Sequence, residues 1–425
     1  MKTIKVGFLG CGNIGSGVYQ LMEEMAGQLA HRHGLRFEVQ RILVRDLDKP
    51  RDAAIPKALM TIDPKDILSD PEITLVAEFM GGEEPASSYI SQALQAGKQV
   101  VTANKMALAL NWHTFRQAAA QGGGGLSFEA SVCGAVPIIR TLNDSLQSNQ
   151  ISRLMGIVNG TTNYMLSAMA DSGQSYEQAL QEAQRLGYAE PDPTSDVEGH
   201  DAVYKLSILA SLAFHARIPA DRVYREGISQ VSALDISFGR DLGYALKLLA
   251  IAKREGEQVE LRVHPTFVSQ RHPLASVRGT LNAVYLEGSA CQEMMLLGRG
   301  AGSGPTASAI VSDMIFASLH PGHPGPSFEN TAVLPDGIQV LEDWESGYYI
   351  RFSAVDQPGV LGHIATCFGR HGINIESLMQ RGDAQLDRVP VVLVSHRAKE
   401  MSIRAAVAAM DSQIVRTESL IRVEI

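Results

Sequence analysis

Near the N-terminus the apolar run Val6-Gly7-Phe8-Leu9 breaks into Gly10-Cys11-Gly12-Asn13-Ile14-Gly15. This G-x-G-x-x-G constrains the fold more than any other stretch. It follows a strand-like segment and opens a helical pattern from Ser16 to about Leu29. Glycines at this spacing place bare backbone N–H groups at the positive end of a helix, where a pyrophosphate docks. The first glycine makes the turn, the second admits the phosphate and the third lets helix pack on strand. Dinucleotide binding at Gly10, Gly12, Asn13, Ile14 and Gly15 is the expectation; a purely structural strand-to-helix turn is the alternative.

The next 130 residues repeat the strand-then-helix rhythm. Strands are expected at Ile4–Leu9, Glu38–Val44, Leu75–Phe79, Gln99–Thr102 and Leu126–Glu129. Helices are expected at Ser16–Leu29, Pro85–Ala96, Trp112–Gln121 and Val136–Asn143. Short connections between alternating elements predict a Rossmann-like, doubly wound parallel sheet over residues 1–145. The four glycines from Gly122 to Gly125 read as a helix end and turn. A second α+β domain is expected over 146–320, with a strand at Ile151–Val158 and helices at Thr162–Ala170, Ser175–Leu186 and Asp201–Phe214. Further strands there are Val259–Val268 and Ala283–Glu287, and the glycine-rich Gly298–Gly304 precedes a helix at Pro305–Ala317. Pro321 to Pro326 opens a linker over 321–346. The last part, 347–425, reads strand-helix-strand-strand-helix-strand, the ferredoxin-like order. Its first strand puts Tyr348, Ile350, Phe352 and Ala354 on one face.

Composition removes several classes. A net charge of −9 argues against a nucleic-acid binder, which would need a basic face. The sequence holds no uninterrupted apolar run of membrane-spanning length, about 18 residues, so no membrane segment is expected. Met1 to Lys5 leads straight into a strand, without the apolar core of a signal peptide. The cysteines Cys11, Cys133, Cys291 and Cys367 are scattered without metal-type spacing, which fits reduced thiols in the cytoplasm.

Three further places carry chemistry. Arg45 occupies the position after the second strand where an acid would meet the ribose of NAD; an arginine there pairs with a 2′-phosphate, and Lys57 can assist. This favours NADP over NAD, with a solvated loop arginine as the alternative. Thr102-Ala103-Asn104-Lys105 ends the fourth strand, where such sheets face their ligand, so Lys105 can reach a cofactor or polarise a carbonyl; an exposed helix turn is the plainer reading. The stretch Gly187-Tyr188-Ala189-Glu190 to Lys205 packs five carboxylates into 12 residues, from Glu190 to Asp201. Asp201 and Lys205 share one helical face. A solvated acidic loop would explain this too, but the helix continues as Leu206 to Phe214, apolar nearly all round and therefore buried. A lysine entering such a helix is costly unless paired or functional.

Together these motifs resemble homoserine dehydrogenase, over nearly the whole chain. The tail is similar to an ACT domain, its Asp356-Gln357-Pro358-Gly359-Val360-Leu361 matching the D-x-P-G-V-L signature. Because the chain begins at the dinucleotide fold, it looks like the stand-alone enzyme rather than a fusion to aspartate kinase. The resemblance implies reversible NAD(P)-dependent oxidation of L-homoserine to L-aspartate 4-semialdehyde. It assigns proton transfer to Lys205, with Lys105 on the cofactor side and Asp201 one turn before Lys205. Substrate binding falls to Glu190, Asp196, Asp201 and Tyr188; some relatives carry a second acid where Ser195 stands here. It adds Gly81, Thr102, Lys105, Gly187 and Gly302 to the cofactor contacts, with Gly298–Gly304 returning to the cofactor domain. A monovalent cation, sodium, is implied at Glu129, Val132, Gly134 and Val136, where the residues alone read as an ordinary turn. The ACT domain implies feedback by an amino acid, L-threonine, at Asp356, Gly359 and Asn374; a domain that only supports oligomerisation is the alternative. A homodimer or homotetramer follows from the family's paired sheets. Another NAD(P)-dependent semialdehyde or hydroxy-acid dehydrogenase, or a non-catalytic amino-acid sensor, are the competing readings.

Overall fold

The computed structural model describes residues 1–52, 54–321, 338–380 and 387–424. Of the linker expected over 321–346, residues 322–337 lie outside them, while Gln339–Val340 is a short strand paired with Gln258–Val259 and Glu345 already begins the next strand. The chain divides into two compact units, Met1–Val158 with Asp201–Val223 and Leu281–Ile338, and Asn159–His200 with Tyr224–Thr280 and Gln339–Ile425.

In the first unit six parallel strands stand in the order Met60–Thr61, Leu35–Leu43, Lys2–Leu9, Leu75–Glu78, Gln99–Thr102 and Gly125–Ser127. In chain order this is 3-2-1-4-5-6, the dinucleotide-binding arrangement. Its ligand crevice lies at the carboxyl ends of Lys2–Leu9 and Leu75–Glu78, where the strand order reverses. The helix Ser303–Leu319 returns to this unit: Ala307, Ile310 and Met314 join Val6, Phe8 and Val18 in one buried cluster. Outside this parallel sheet, Leu281–Gly288 pairs antiparallel with both Gln292–Arg299 and Ile151–Ile157.

Three expected elements came out differently. The helix before the glycine run spans Lys105–Gly122, with a non-helical residue, Asn111, inside it. The apolar spacing restarts at that kink, so the pattern alone showed only the second half. The expected helix Val136–Asn143 is one short turn, Ile138–Arg140, widening to a π-turn at Thr141–Ser145. The strand before it stops at Ser127, and Glu129 opens a 3₁₀ turn because its carboxylate is committed to that helix start.

The second unit holds a long hairpin, Tyr244–Glu255 against Gln258–Ser269. The terminal ferredoxin-like domain joins it through parallel pairing of Thr266 with Arg422. Its strands run Val415–Glu424, Glu345–Val355, Arg388–Lys399 and Ile375–Gln380, antiparallel throughout. Helices Val360–Arg370 and Glu400–Ala408 cover one face, burying Tyr348, Ile350, Phe352 and Ala354 as the alternation predicted. The opposite face is covered as well. Tyr349 packs its ring on Phe267 and donates its hydroxyl to Asp235, which also takes Arg351 at 2.7 Å.

Lys247 points into this unit from the hairpin, only 4 % exposed, donating to the Val277 carbonyl and, at 3.3 Å, to Asn163 Oδ1. Burial pushes its ammonium down to about 8 from 10.5. Between those values the unfolded chain binds the extra proton, so this residue makes stability rise with pH there. We expect a Lys247→Met variant to lose that rising limb, measured as the difference in unfolding free energy from the parent across this interval. Parallel pH profiles would contradict the assignment.

Candidate active site

The dinucleotide turn is built as its glycines require. Gly10 is left-handed at φ 99° and donates to the Leu43 carbonyl at 3.0 Å. A Cβ at Gly15 would meet Gly10 O and the Phe79 ring, both at 3.1 Å, so only glycine lets the helix sit this close. Gly12, exposed, caps the helix Asn13–His33 and has nothing within 4 Å of where its Cβ would stand. No acid occupies the first turn, so the amides of Asn13 and Ile14 face an open, positive helix end. Gly302, at φ 114°, precedes Ser303, whose hydroxyl donates to Asn13 O at 2.9 Å. The second glycine-rich turn thus closes on the first. Arg45 and Lys57 are exposed and flank neighbouring strands, tied by Val44 N–H to Thr61 O at 2.8 Å. Asp46, which could have met a ribose, accepts the Asp48 amide at 2.8 Å in its own turn.

The crevice contains a carboxylate that sequence reasoning passed over. Glu78, fully buried at the end of Leu75–Glu78, accepts Met80 N–H at 2.6 Å and the Thr102 hydroxyl at 2.5 Å. Burial pushes its carboxyl up, and these hydrogen bonds oppose the shift. Thr102 is itself fully buried, its hydroxyl committed to Glu78. Gly81 and Gly82 follow in left-handed conformations, and Gly82 O accepts Asn104 Nδ2 at 2.8 Å. An acid ending an otherwise apolar parallel strand was the available signal.

Asn104 caps the helix that starts at Lys105, accepting Ala107 N–H at 3.0 Å. Lys105 Nζ lies 2.9 Å from Asp201 Oδ1, and Lys205 Nζ lies 2.7 Å from Asp201 Oδ2. One buried carboxylate therefore holds two ammonium groups, one oxygen each. Lys205 also donates to the Val158 carbonyl at 2.7 Å, and its side chain is 12 % exposed. These contacts use two of its three hydrogens, and no further hydrogen-bond partner of Lys205 is seen among the described residues. The helix His200–Ala213 is buried along nearly its whole length, which fixes both ends of the Asp201–Lys205 pair.

The acidic loop belongs to the second unit. Helix Tyr176–Arg185 ends at left-handed Gly187, φ 76°, with Gly187 N–H on Gln184 O and Tyr188 N–H on Ala183 O. These two hydrogen bonds terminate the helix and set the direction in which the acidic loop leaves it; the structure gives Gly187 this local role. Tyr188 rests its ring on Tyr164, centroids 4.9 Å apart, and its carbonyl takes the Thr161 hydroxyl at 2.7 Å. Glu190 is exposed, its backbone carbonyl held by Gln184 at 3.2 Å. Asp196 is half-buried and accepts Asn159 Nδ2 at 2.7 Å.

Glu129, 6 % exposed, accepts the amides of Ile139 and Arg140 at 2.8 and 2.9 Å, yet burial still pushes its carboxyl up to about 7. Cys133 and Gly134 are both left-handed, at φ 58° and 53°, between the carbonyls of Val132 and Val136. No group of three or more His, Cys, Asp or Glu able to hold a metal occurs among the described residues. A buried carboxylate beside a turn of backbone carbonyls fits a hard monovalent cation better than a transition metal. In the ferredoxin-like domain Asp356 and Asn374 are exposed, and Gly359, φ 94°, caps the helix Val360–Arg370. No helix among the described residues is long and apolar enough to cross a membrane.

Comparison with known proteins agrees with this geometry. The family description "Homoserine dehydrogenase" matches residues 137–315, "Homoserine dehydrogenase, NAD binding domain" matches 10–129, and "ACT domain" matches 348–411. Homoserine dehydrogenases of Synechocystis sp. and Bacillus subtilis are 43 % and 39 % identical, over 95 % and 94 % of this chain and 95 % and 93 % of theirs. The crystal structure of the Thiobacillus denitrificans homoserine dehydrogenase is 40 % identical with TM-score 0.91, covering 100 % of this chain and 98 % of that one. A hyperthermophilic archaeal homoserine dehydrogenase in complex with NADPH is 25 % identical with TM-score 0.64, covering 75 % and 98 %.

Proposed function

This chain belongs to the homoserine dehydrogenase family of NAD(P)-dependent oxidoreductases, and we propose that it interconverts L-homoserine and L-aspartate 4-semialdehyde with Lys205 moving the proton. The observation that carries this is the shared carboxylate: Asp201 holds Lys105 and Lys205 together while Lys205 keeps a hydrogen for a ligand. Bound NADP supplies the hydride acceptor. In oxidation the neutral Lys205 amine takes the proton of the C4 hydroxyl as hydride leaves that carbon. In reduction its ammonium binds the aldehyde oxygen and protonates the forming alkoxide. Two cations on one carboxylate leave a net positive charge facing the oxygen that turns negative, which favours the transition state over the neutral aldehyde.

Glu190 and Asp196, with Tyr188, take the α-ammonium of homoserine in this reading. Asp196 is held by Asn159 and the Glu190 backbone by Gln184, so both acids are presented by a braced loop. A hydrogen bond to a charged partner is worth about 1.5–3 kcal/mol. A Glu190→Gln variant is therefore expected to raise the homoserine KM by about 10- to 100-fold, with the cofactor dissociation constant unchanged. An unchanged KM would remove Glu190 from the substrate site.

Arg45 and Lys57 support NADP over NAD, and Asp46, engaged in its own turn, supports it further. Asp356, Gly359 and Asn374 are the proposed effector contacts, with threonine as the effector. One comparison checks both: turnover with NADPH and with NADH, each with and without threonine. NADPH is expected to be preferred and threonine to inhibit. Equal use of NADH, or indifference to threonine, would overturn the corresponding half. Glu129 and the carbonyls of Val132, Gly134 and Val136 are the proposed seat of a sodium ion. The exposed edge strand Gln292–Arg299, with Leu297 51 % exposed, supports pairing with a second copy, which sedimentation would register.

A further inference from the structure

We propose that Glu78 is a positioning residue that locks the dinucleotide crevice to the lysine pair through Thr102 and Asn104. It rests on the reading that Lys105 works beside the bound nicotinamide. The connections run without a gap inside the first unit. Phe79, next to Glu78, donates its amide to Leu9 O at 2.9 Å, meets the Phe8 ring edge-on at 5.1 Å and lies under Gly15. One Glu78 oxygen takes the amide of Met80, whose side chain and neighbour Phe79 border Gly10. The other takes the Thr102 hydroxyl. Because that hydroxyl spends its hydrogen on Glu78, its lone pair accepts Asn104 N–H at 3.0 Å. Asn104 then grips Gly82 O on one side and caps the Lys105 helix on the other. From Lys105 the contact passes to Asp201 and so to Lys205.

A carboxylate is required at this hub because only an acceptor with two oxygens serves both donors. In Glu78→Gln one oxygen can still meet Met80, but an NH₂ then faces Thr102. The hydroxyl would receive two hydrogens and have no acceptor for its own. The turn bearing Gly81 and the helix bearing Lys105 would lose their common support, while the loop carrying Glu190 and Asp196 is untouched. Displacements of about 1 Å cost on the order of 100-fold in rate.

The test uses the intact chain, with NADPH binding followed by its fluorescence and steady-state rates in homoserine. Glu78→Gln is expected to lower kcat by about 10- to 100-fold and to weaken NADPH binding, with the homoserine KM little changed. Thr102→Val, which removes the hydroxyl at nearly constant volume, is expected to copy that pattern, and Thr102→Ser to restore activity relative to it. The double variant Glu78→Gln/Thr102→Val is expected to fall no lower than the worse single, the mark of one shared link. Additive losses, or unchanged kcat and NADPH binding in Glu78→Gln, would overturn the proposal. If Glu78→Gln fails to fold, Thr102→Val decides alone, since parent-like kinetics there break the chain. Absence of homoserine turnover in the parent would instead count against the proposed function, and NADPH binding by the variants would still read out the hub.

Discussion

Replacing Lys205 by methionine is expected to lower kcat about 1,000-fold, with NADPH binding unchanged. A positioned proton-transfer group contributes about 10²- to 10⁴-fold, and three decades correspond to about 4 kcal/mol of barrier. The substitution preserves the length of the side chain in a helix buried on nearly all sides, so the fold has little reason to move. What it removes is an ammonium that keeps a hydrogen after meeting Asp201 and Val158. Lys205→Arg separates charge from proton transfer. A guanidinium stays protonated at any working pH, so it can satisfy Asp201 but cannot act as the base. Oxidation of homoserine should stay low in that variant as well. Paired rate and cofactor-binding measurements check both. A Lys205→Met enzyme with near-parent kcat would assign the proton to another group.

The second large effect concerns stability. Arg422, fully buried in the last strand, meets Glu400 through Nε at 3.1 Å and through Nη2, reaches Glu226 through Nη1, and donates to the Tyr224 hydroxyl at 3.0 Å. Glu400 also accepts the Tyr348 hydroxyl at 2.9 Å and pairs with Arg404 at 2.7 Å. This cluster fastens the ferredoxin-like domain to the Tyr224–Glu226 segment of the same unit. That segment continues to Ile228, whose amide holds Val197 O, beside Asp196, at 2.8 Å. Removing Arg422 leaves buried Glu400 with only the half-exposed Arg404 as its cation, and breaking a buried ion pair costs about 3–5 kcal/mol. Arg422→Met is expected to destabilise the protein by that amount, seen in denaturant unfolding of the intact chain. Adding Glu400→Gln and Glu226→Gln should recover part of it, because amides lose less than carboxylates when left unpaired. A loss under about 1 kcal/mol would mean that the cluster behaves as a solvent-screened surface pair.

Local signals carried much of this structure. The glycine fingerprint located the tight strand-to-helix turn, and Gln99–Thr102 has the bounds its apolar run suggested. The Asp201–Lys205 pair was legible because helical spacing alone brings i and i+4 together. What the pattern hid was set by partners distant in sequence. Tyr244–Glu255 carries alanine and lysine, poor strand formers, among leucines that suit a helix equally well, and becomes a strand by pairing along its whole length with Gln258–Ser269. Val158 receives Lys205 through a backbone carbonyl, which no residue type announces. Tyr349 and Arg351, on the face opposite Tyr348 and Ile350, meet Phe267 and Asp235, which lie more than 80 positions away. Glu78 was visible as an acid inside an apolar strand, but its meaning depends on Thr102, 24 positions on.

The most direct measurement is the reaction itself. The intact chain, given L-aspartate 4-semialdehyde and NADPH, should oxidise NADPH and yield L-homoserine in equal amount, with both products quantified. Failure to consume NADPH with this aldehyde, while another semialdehyde or keto acid is reduced, would contradict the account.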